Sequence, residues 1–336
     1  MNLVFTSFGF PVVLATTLVA GFQQHPRTLS LTNDHPLAKV PAEVGAAQSF
    51  QRFEPEKPID RFATDALHYD HITKRQWTER ARPNTPSIVQ PTSNSEGSAE
   101  NEQATSSASR EVLNIIGSDN RTQIVQTRQF PWRVQCRVVA FFPGGTVVKG
   151  SGTLIGNKHL LTAAHLVHSP RLGFAVRTLI VAGQVGETMP YGPAWVTRTR
   201  VYAGWTRSRS IDWDVALLTL DRNMGVTTGT LGYGSLPTNR NRVINLAAYP
   251  DETGSGATLL FGTGLITQSS ASRVFHTADV SAGQDGGGLY FVLGAGAFVD
   301  RVVVAVQTTR GRQSNGGTRL TPAIVADFRR WIATGT

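Results

Sequence analysis

The sequence predicts a mostly β fold, and three observations predict it. Thirty-three glycines and seventeen prolines among 336 residues interrupt the chain too often for a bundle of long helices. Short β-branched runs recur through the C-terminal part, each bounded by Gly, Pro or Asn, which is the pattern of a sandwich or barrel. Long helical periods are few, and the clearest lies at the C-terminal end.

The elements follow in order. Met1 to Gly21 is apolar through Val12, Val13, Leu14 and Leu18 and turns polar at Gln23, Gln24 and His25. This is the profile of a secretory signal peptide, with the small residues Ala20 and Gly21 at the cleavage end. The run is close to the length of a membrane anchor, but Pro11, the hydroxyl residues and the lack of flanking basic residues fit a spanning helix poorly. The expectation is a secreted, extracellular protein with no transmembrane segment in its mature form.

Residues 22–113 read as a pro-region and linker. Phe22 to Arg82 is polar, rich in Pro and His and weakly periodic, with room for a few short helices. Pro83 to Arg110 is low in complexity and almost free of large apolar residues, so it cannot bury enough surface to fold alone. Apolar runs begin at Glu111-Val112-Leu113-Asn114-Ile115-Ile116-Gly117 and recur to the end. A pro-region cut near Arg110, followed by a mature domain over residues 114–336, explains that boundary.

Within the domain, strands are expected at Arg133–Phe141, Val147–Ile155, Thr178–Ala182, Val215–Leu220, Leu259–Phe261 and Val302–Val306. After Thr321, Pro322 opens a helix whose Ile324, Val325, Phe328, Trp331 and Ile332 share one face. Cys136 is the sole cysteine and excludes an intramolecular disulfide; its alternating surroundings make it a buried apolar residue rather than a reactive one. The net charge of +9 is carried by the C-terminal part, the first 110 residues being nearly balanced. Such a surface admits anionic partners, but the arginines are scattered and no nucleic-acid-binding motif appears.

Three short segments carry the chemistry. Leu160-Leu161-Thr162-Ala163-Ala164-His165 sets a histidine directly after an apolar strand, and Asp212-Trp213-Asp214-Val215-Ala216-Leu217-Leu218 sets an acid before another. A carboxylate at Asp214 can bond one imidazole nitrogen of His165, fix its tautomer and stabilise the imidazolium. Gly283-Gln284-Asp285-Gly286-Gly287-Gly288 then precedes a third apolar run, and such a glycine cluster lets two backbone amides converge on one point.

In order and spacing these segments resemble the trypsin and chymotrypsin family of serine proteases, whose signatures are Thr-Ala-Ala-His, Asp before an apolar strand, and Gly-x-Ser-Gly-Gly. Ile115-Ile116-Gly117-Ser118-Asp119-Asn120-Arg121-Thr122-Gln123-Ile124, followed by Phe130-Pro131, is similar to the disulfide-poor branch that includes the glutamyl endopeptidases. The resemblance implies a chymotrypsin-type double six-stranded β-barrel with a C-terminal helix, preceded by a largely unstructured pro-region. It further implies His165 and Asp214 as a charge relay, the Gly283 and Asp285 amides as an oxyanion hole, and Val280 and Gln307 as specificity-pocket positions. Activation would create a new N-terminus near Ile115 or Ile116.

The sequence departs from that pattern at the nucleophile, where Asp285 stands in place of serine. Ser281 lies four residues earlier, outside the glycine turn. Serine loses a proton to histidine as it attacks and forms an ester that water can cleave. Aspartate brings no such proton, its attack on an amide would give a mixed anhydride, and its charge opposes the oxyanion.

Three readings stay open: a pseudopeptidase that binds peptides or proteins in its cleft, an active secreted endopeptidase in which Asp285 is an artefact, and an enzyme with altered chemistry. A basic scaffold that attaches to anionic surfaces is a further, non-enzymatic alternative. Serine and aspartate codons differ at more than one base, which argues against a trivial read error. At the pocket, Gln307 replaces the histidine expected of glutamate-specific relatives, so a glutamate preference is not supported. Arg310 and Arg312 offer charge nearby, though a solvated loop accounts for them more simply. Asn120-Arg121-Thr122 is a glycosylation sequon, of use only in a eukaryotic secretory route. No calcium loop, zinc spacing or nucleotide-binding motif appears, so no cofactor is expected, and the mature chain is expected to be a monomer.

Overall fold

A computed structural model of the chain describes residues 64–80, 115–295 and 298–334. The expected signal peptide, and the pro-region and linker apart from residues 64–80, lie outside the described residues.

A hairpin, β1 (Ala66–Asp70) and β2 (Gln76–Glu79), comes first, followed by the short β3 (Thr122–Ile124). The first barrel begins with β4 (Gln135–Phe141), β5 (Val147–Gly156) and β6 (His159–Thr162). A two-stranded ribbon of β7 (His168–Ser169) and β8 (Gly173–Phe174) leads to β9 (Arg177–Ala182), β10 (Pro193–Tyr202) and β11 (Ala216–Leu220). Strand order β11-β6-β5-β4-β9-β10, with β10 returning to β11, closes six antiparallel strands into a ring. After β12 (Gly232–Tyr233), the second ring is built from β13 (Val243–Ala248), β14 (Leu259–Ser269), β15 (Arg273–His276), β16 (Gly288–Ala295), β17 (Phe298–Thr309) and β18 (Asn315–Arg319). It runs β17-β16-β13-β14-β15-β18 and closes by β17 pairing with β18. The fold is therefore chymotrypsin-like, two closed six-stranded barrels with a helix at the C-terminal end. Closure matters because it removes most of the open strand edge from each ring.

The barrel interiors follow strand alternation. In β4, Cys136, Val138 and Ala140 are fully buried while Arg137, Val139 and Phe141 are only partly so. Burial pushes the Cys136 thiol far above its ordinary range, so it behaves as a small hydrophobe. Leu154, Leu160, Ile180 and Leu218 fill the rest of the first interior, each such side chain contributing roughly 1.5–3 kcal/mol, while Leu161 and Leu217 are buried on the opposite face of their strands. The second interior is lined by Ile244, Leu246, Ile266, Val274, Leu289 and Val304.

The helix over Pro322–Thr334 starts as the sequence predicts: Thr321 Oγ accepts from the Ile324 N–H at 3.3 Å, and Pro322 occupies the first turn. It leaves the second barrel and returns to the first, where Trp331 packs on Tyr202 with ring centroids 5.9 Å apart.

The six runs expected as strands all lie in or overlap strands, but β14 and β17 extend well past them. Residues 64–80 form a hairpin rather than one of the short helices expected there. The sequence reading also passed over β10 and β18. Alternation in β10 is masked because Arg200, on the outer face of the barrel, is 1% exposed beneath the C-terminal helix, its guanidinium 5.6 Å from the Trp331 ring centre. Strand β18 is Asn-Gly-Gly-Thr-Arg, a poor strand former alone, and it is held by ladders to β15 on one side and β17 on the other.

The second barrel also holds the loop that leads into Asp214. Arg273, buried at the start of β15, donates from Nη1 to the Ile211 carbonyl at 2.9 Å and to the hydroxyls of Thr308 and Thr318. Thr318 donates to the same carbonyl at 2.7 Å, and Ser272 donates to Asp212 Oδ1 at 2.7 Å. Replacing this guanidinium by an apolar chain, Arg273→Met, strands several buried acceptors. The expected cost is about 2–4 kcal/mol, measured as a lowered urea midpoint; an unchanged midpoint would show that the clamp carries no stability.

Candidate active site at the barrel interface

Strand register brings the first two residues together. Strands β6 and β11 are antiparallel neighbours with Thr162 opposite Ala216, so the chain leaving β6 and the chain entering β11 meet at one end of the first barrel. His165 lies on a short turn three residues past β6. Asp214 is the centre of an inverse γ-turn, φ −78° and ψ 65°, closed by the Val215 N–H donating to the Trp213 carbonyl at 2.8 Å. The Asp214 side chain takes two bonds from His165, the backbone N–H at 2.9 Å and ring Nδ1 at 2.7 Å. A carboxylate only accepts, so Nδ1 carries a proton and Nε2 is left facing Asp285.

The third residue comes from the second barrel. Residues Ser281 to Gly287 form a compact turn ahead of β16, with Gln284 N–H donating to Ser281 O, Gly287 N–H to Gln284 O and Gly286 N–H to Gln307 O. Two glycines make it possible. Gly283 has φ +87°, and a Cβ there would sit 2.6 Å from the Tyr249 carbonyl oxygen; Gly286 has φ +88°, and a Cβ would sit 2.1 Å from the Ser151 carbonyl oxygen. The turn is fastened to β5 of the first barrel by Ser151, whose N–H donates to Asp285 O and whose hydroxyl donates to Gly283 O, both at 2.8 Å. Among the described residues, the N–H groups of Gly283 and Asp285 donate to no protein group.

Asp285 thus reaches the relay. Its Oδ2 lies 3.9 Å from His165 Nε2 and 3.4 Å from an Arg310 guanidinium nitrogen, while Oδ1 is buried with no hydrogen-bond partner among the described residues. At 3.9 Å the imidazole and carboxylate attract by charge and are not hydrogen-bonded. Burial disfavours the His165 cation, but the charge and hydrogen bond of Asp214 and the charge of Asp285 outweigh burial and the opposing Arg310, and its pKa is pushed up to about 9. Burial raises the Asp285 carboxyl, with His165 and Arg310 working against it and Asp214 adding to the rise. Arg310 is therefore an ion-pair partner of the site, where the sequence reading preferred a solvated loop.

The two pocket positions are both buried. Val280 is fully enclosed in the second barrel's core. Gln307 is enclosed too, with Oε1 2.8 Å from His276 Nε2 and Nε2 donating to the Thr309 carbonyl at 2.9 Å. His276 was not singled out in the sequence, where it ends a short strand with no acid or cysteine beside it. Burial holds its pKa down at about 4, so the Gln307–His276 pair is neutral at neutral pH.

Ser281 lies outside the relay. Its hydroxyl donates to Glu252 at 2.5 Å and accepts from Arg121 at 2.7 Å. Arg121 also bonds Gln284 Oε1 at 2.7 Å and pairs with Asp119 and Glu252, fastening the start of the domain to the glycine turn. The Asp279 carboxylate, buried beneath that turn, accepts from the backbone N–H groups of Ile116 at 2.8 Å and Asn120 at 3.1 Å.

Comparison with known proteins agrees with the fold. A model of the trypsin-like peptidase domain matches residues 150–295. The chain is 28% identical over 222 residues to an extracellular metalloprotease of Bacillus subtilis, spanning 65% of this chain and 69% of that protein. It is 26% identical over 226 residues to a glutamyl endopeptidase of Bacillus licheniformis, spanning 66% and 69%. A solved Glu endopeptidase superposes with TM-score 0.57 at 23% identity, covering 65% of this chain and 99% of that one. The protease Anisep from Arthrobacter nicotinovorans superposes with TM-score 0.51 at 14% identity, covering 60% and 96%. The resemblance to the trypsin/chymotrypsin-like family, on its glutamyl endopeptidase side, therefore holds. Among the described residues no group of three or more His, Cys, Asp or Glu is arranged to hold a metal ion, and no helix is long and apolar enough to cross a membrane.

The His165 imidazole should titrate near pH 9 by NMR, against 6.5 for an ordinary histidine. The stabilisation it gives the fold should be complete below pH 6.5 and lost as pH rises through about 9. In Asp285→Ser one attracting charge is gone and Arg310 remains, so the titration should move downward; no movement would mean that Asp285 is not felt at the ring. Gly286→Ala should destabilise the protein by about 3 kcal/mol or more, read by thermal unfolding, because the added methyl meets Ser151 O at 2.1 Å and Thr162 Oγ at 2.4 Å.

Proposed function

We propose that this chain is a secreted trypsin-like protease homologue with impaired catalysis, which holds peptides or protein segments in its cleft without turning them over. The observation that carries the reading is the Asp285 carboxylate at the nucleophile position, 3.9 Å from His165 Nε2. Acyl transfer needs the nucleophile to give up a proton to that nitrogen as it attacks. Asp285 as a carboxylate has none to give, and an imidazole that titrates near 9 already carries one at neutral pH.

The oxyanion would form beside the N–H groups of Gly283 and Asp285, within reach of the Asp285 charge, so the group that should stabilise the transition state works against it. Loss of serine from such a triad costs roughly 10⁶-fold in turnover, about 8 kcal/mol of barrier. Binding is affected less. The two free N–H groups can still take a peptide carbonyl, and Arg310 partly neutralises the carboxylate beside them. An extracellular location is supported by the apolar leader over residues 1–21 and by the Bacillus subtilis relative, which is named as extracellular.

The test is hydrolysis of a mixed peptide library by the processed protein, run beside Asp285→Ser and Asp285→Ser/His165→Ala. The native chain should be silent, Asp285→Ser should cleave, and the double variant should lose that cleavage. Native cleavage that disappears in His165→Ala would instead mean an active endopeptidase and overturn the reading.

A further inference from the structure

The hairpin β1–β2 belongs to the segment that the sequence assigns to a pro-region, yet its contacts are those of a core element. Strand β10 has β11 along one side. On the other, β9 covers only Pro193–Trp195, and β1 takes over from Arg198 to Tyr202 in antiparallel register, Asp70 opposite Arg198 and Ala66 opposite Tyr202. Without β1 that half of β10 is an open strand edge on an otherwise closed barrel.

The side chains close the same gap. Ala66 and His68 are 3% and 2% exposed. The His68 ring stacks on Trp77 of β2 at 5.0 Å and meets Trp331 of the C-terminal helix edge-on at 5.5 Å. Glu79 accepts from Trp331 Nε1 at 3.2 Å, pairs with Arg330 and lies 3.2 Å from His68 Nε2. Tyr69 stacks on Phe174 of β8 at 4.8 Å, and His71 Nε2 bonds the Thr199 hydroxyl at 2.8 Å. At the start of the segment, the Asp65 carbonyl accepts from Ala203 N–H at 2.7 Å.

We infer that residues 64–80 are a permanent strand pair of the first barrel, seated on the free half of β10 and the Trp331 face of the C-terminal helix. They stay docked as a separate chain when the connection over residues 81–114 is cut. The partner that this surface fits is thus a short β-hairpin with a buried histidine and a carboxylate aimed at the tryptophan. The processed protein is a two-chain complex, and removal of the pro-region ends at this hairpin. Strand pairing supplies affinity, and the Trp331 and Phe174 contacts supply selectivity. The inference does not rest on Asp285 or on the activity of the site.

The experiment begins with the full chain, carrying a site-specific protease sequence inserted between Ser98 and Ala99. After folding, it is cut and passed over a gel-filtration column at neutral pH. The fragment containing residues 64–80 should co-elute with the barrel domain and separate only in denaturant. Amide exchange over Val196–Tyr202 should be as slow after the cut as before it. His68→Ala/Trp77→Ala should raise the rate of fragment loss about tenfold or more, equivalent to about 1.4 kcal/mol, whereas Arg75→Ala at the exposed turn should not. Immediate release of the native fragment, or fast exchange over Val196–Tyr202 once the chain is cut, would overturn the inference.

Discussion

The site exists because Ser151 ties one barrel to the other. Its N–H and hydroxyl hold the carbonyls of Asp285 and Gly283, and the same hydroxyl accepts the Tyr249 N–H at 2.8 Å. Three backbone groups of the second barrel are thereby pinned to one residue in the middle of a first-barrel strand. Thr153, two positions on and on the same face of β5, accepts the Gly288 N–H at 3.0 Å. The strand period of two lets one edge of β5 locate the whole glycine turn. His165 and Asp214, fixed by the β6–β11 ladder, then face that turn with no freedom left in the scaffold.

Held so firmly, the centre has an electrostatic state that follows from its residues. A serine there would leave His165 paired with a single carboxylate. Asp285 puts a second acid on the opposite nitrogen and Arg310 behind it, so the ring is stabilised as a cation between two anions. The imidazole is thereby kept protonated at neutral pH. The positive charges of His165 and Arg310 also offset the burial of Asp285, which is 7% exposed with an unpartnered Oδ1 among the described residues and whose carboxyl burial pushes up.

Most of the architecture was legible because short-range chemistry dictates it. Alternation marks β4 and β9, the Thr321-Pro322 start marks the C-terminal helix, and Gly283 and Gly286 mark a turn that no other residue fits. His165 and Asp214 were readable as a pair because each adjoins an apolar strand and those strands pair. Features set by distant contacts were not readable: β18 has a turn-like composition and becomes a strand through two neighbours, and β10 carries an outer-face arginine that is buried only by the C-terminal helix. Arg310 looked like a loop residue because nothing local shows that β17 and β18 deliver it to Asp285. His276 was invisible for the same reason, its role appearing only when Gln307 comes up against it. The hairpin at residues 64–80 is the largest such case, since Ala66 and His68 are buried by elements more than a hundred residues away, β10 and the C-terminal helix.

Fold and chemistry are separable here because the constraints on the glycine turn fall on backbone. Every bond that shapes Ser281–Gly287 from the first barrel ends on a carbonyl, and the positive φ values belong to Gly283 and Gly286. The side chain at position 285 contributes to none of them. A change there leaves the backbone bonds of the turn, and with them the placing of His165 and Asp214 opposite it, in place. The side chain at that position can therefore vary without the rest of the turn being rebuilt. Asp285 is accommodated because His165, at 3.9 Å, and Arg310, at 3.4 Å, offset its charge.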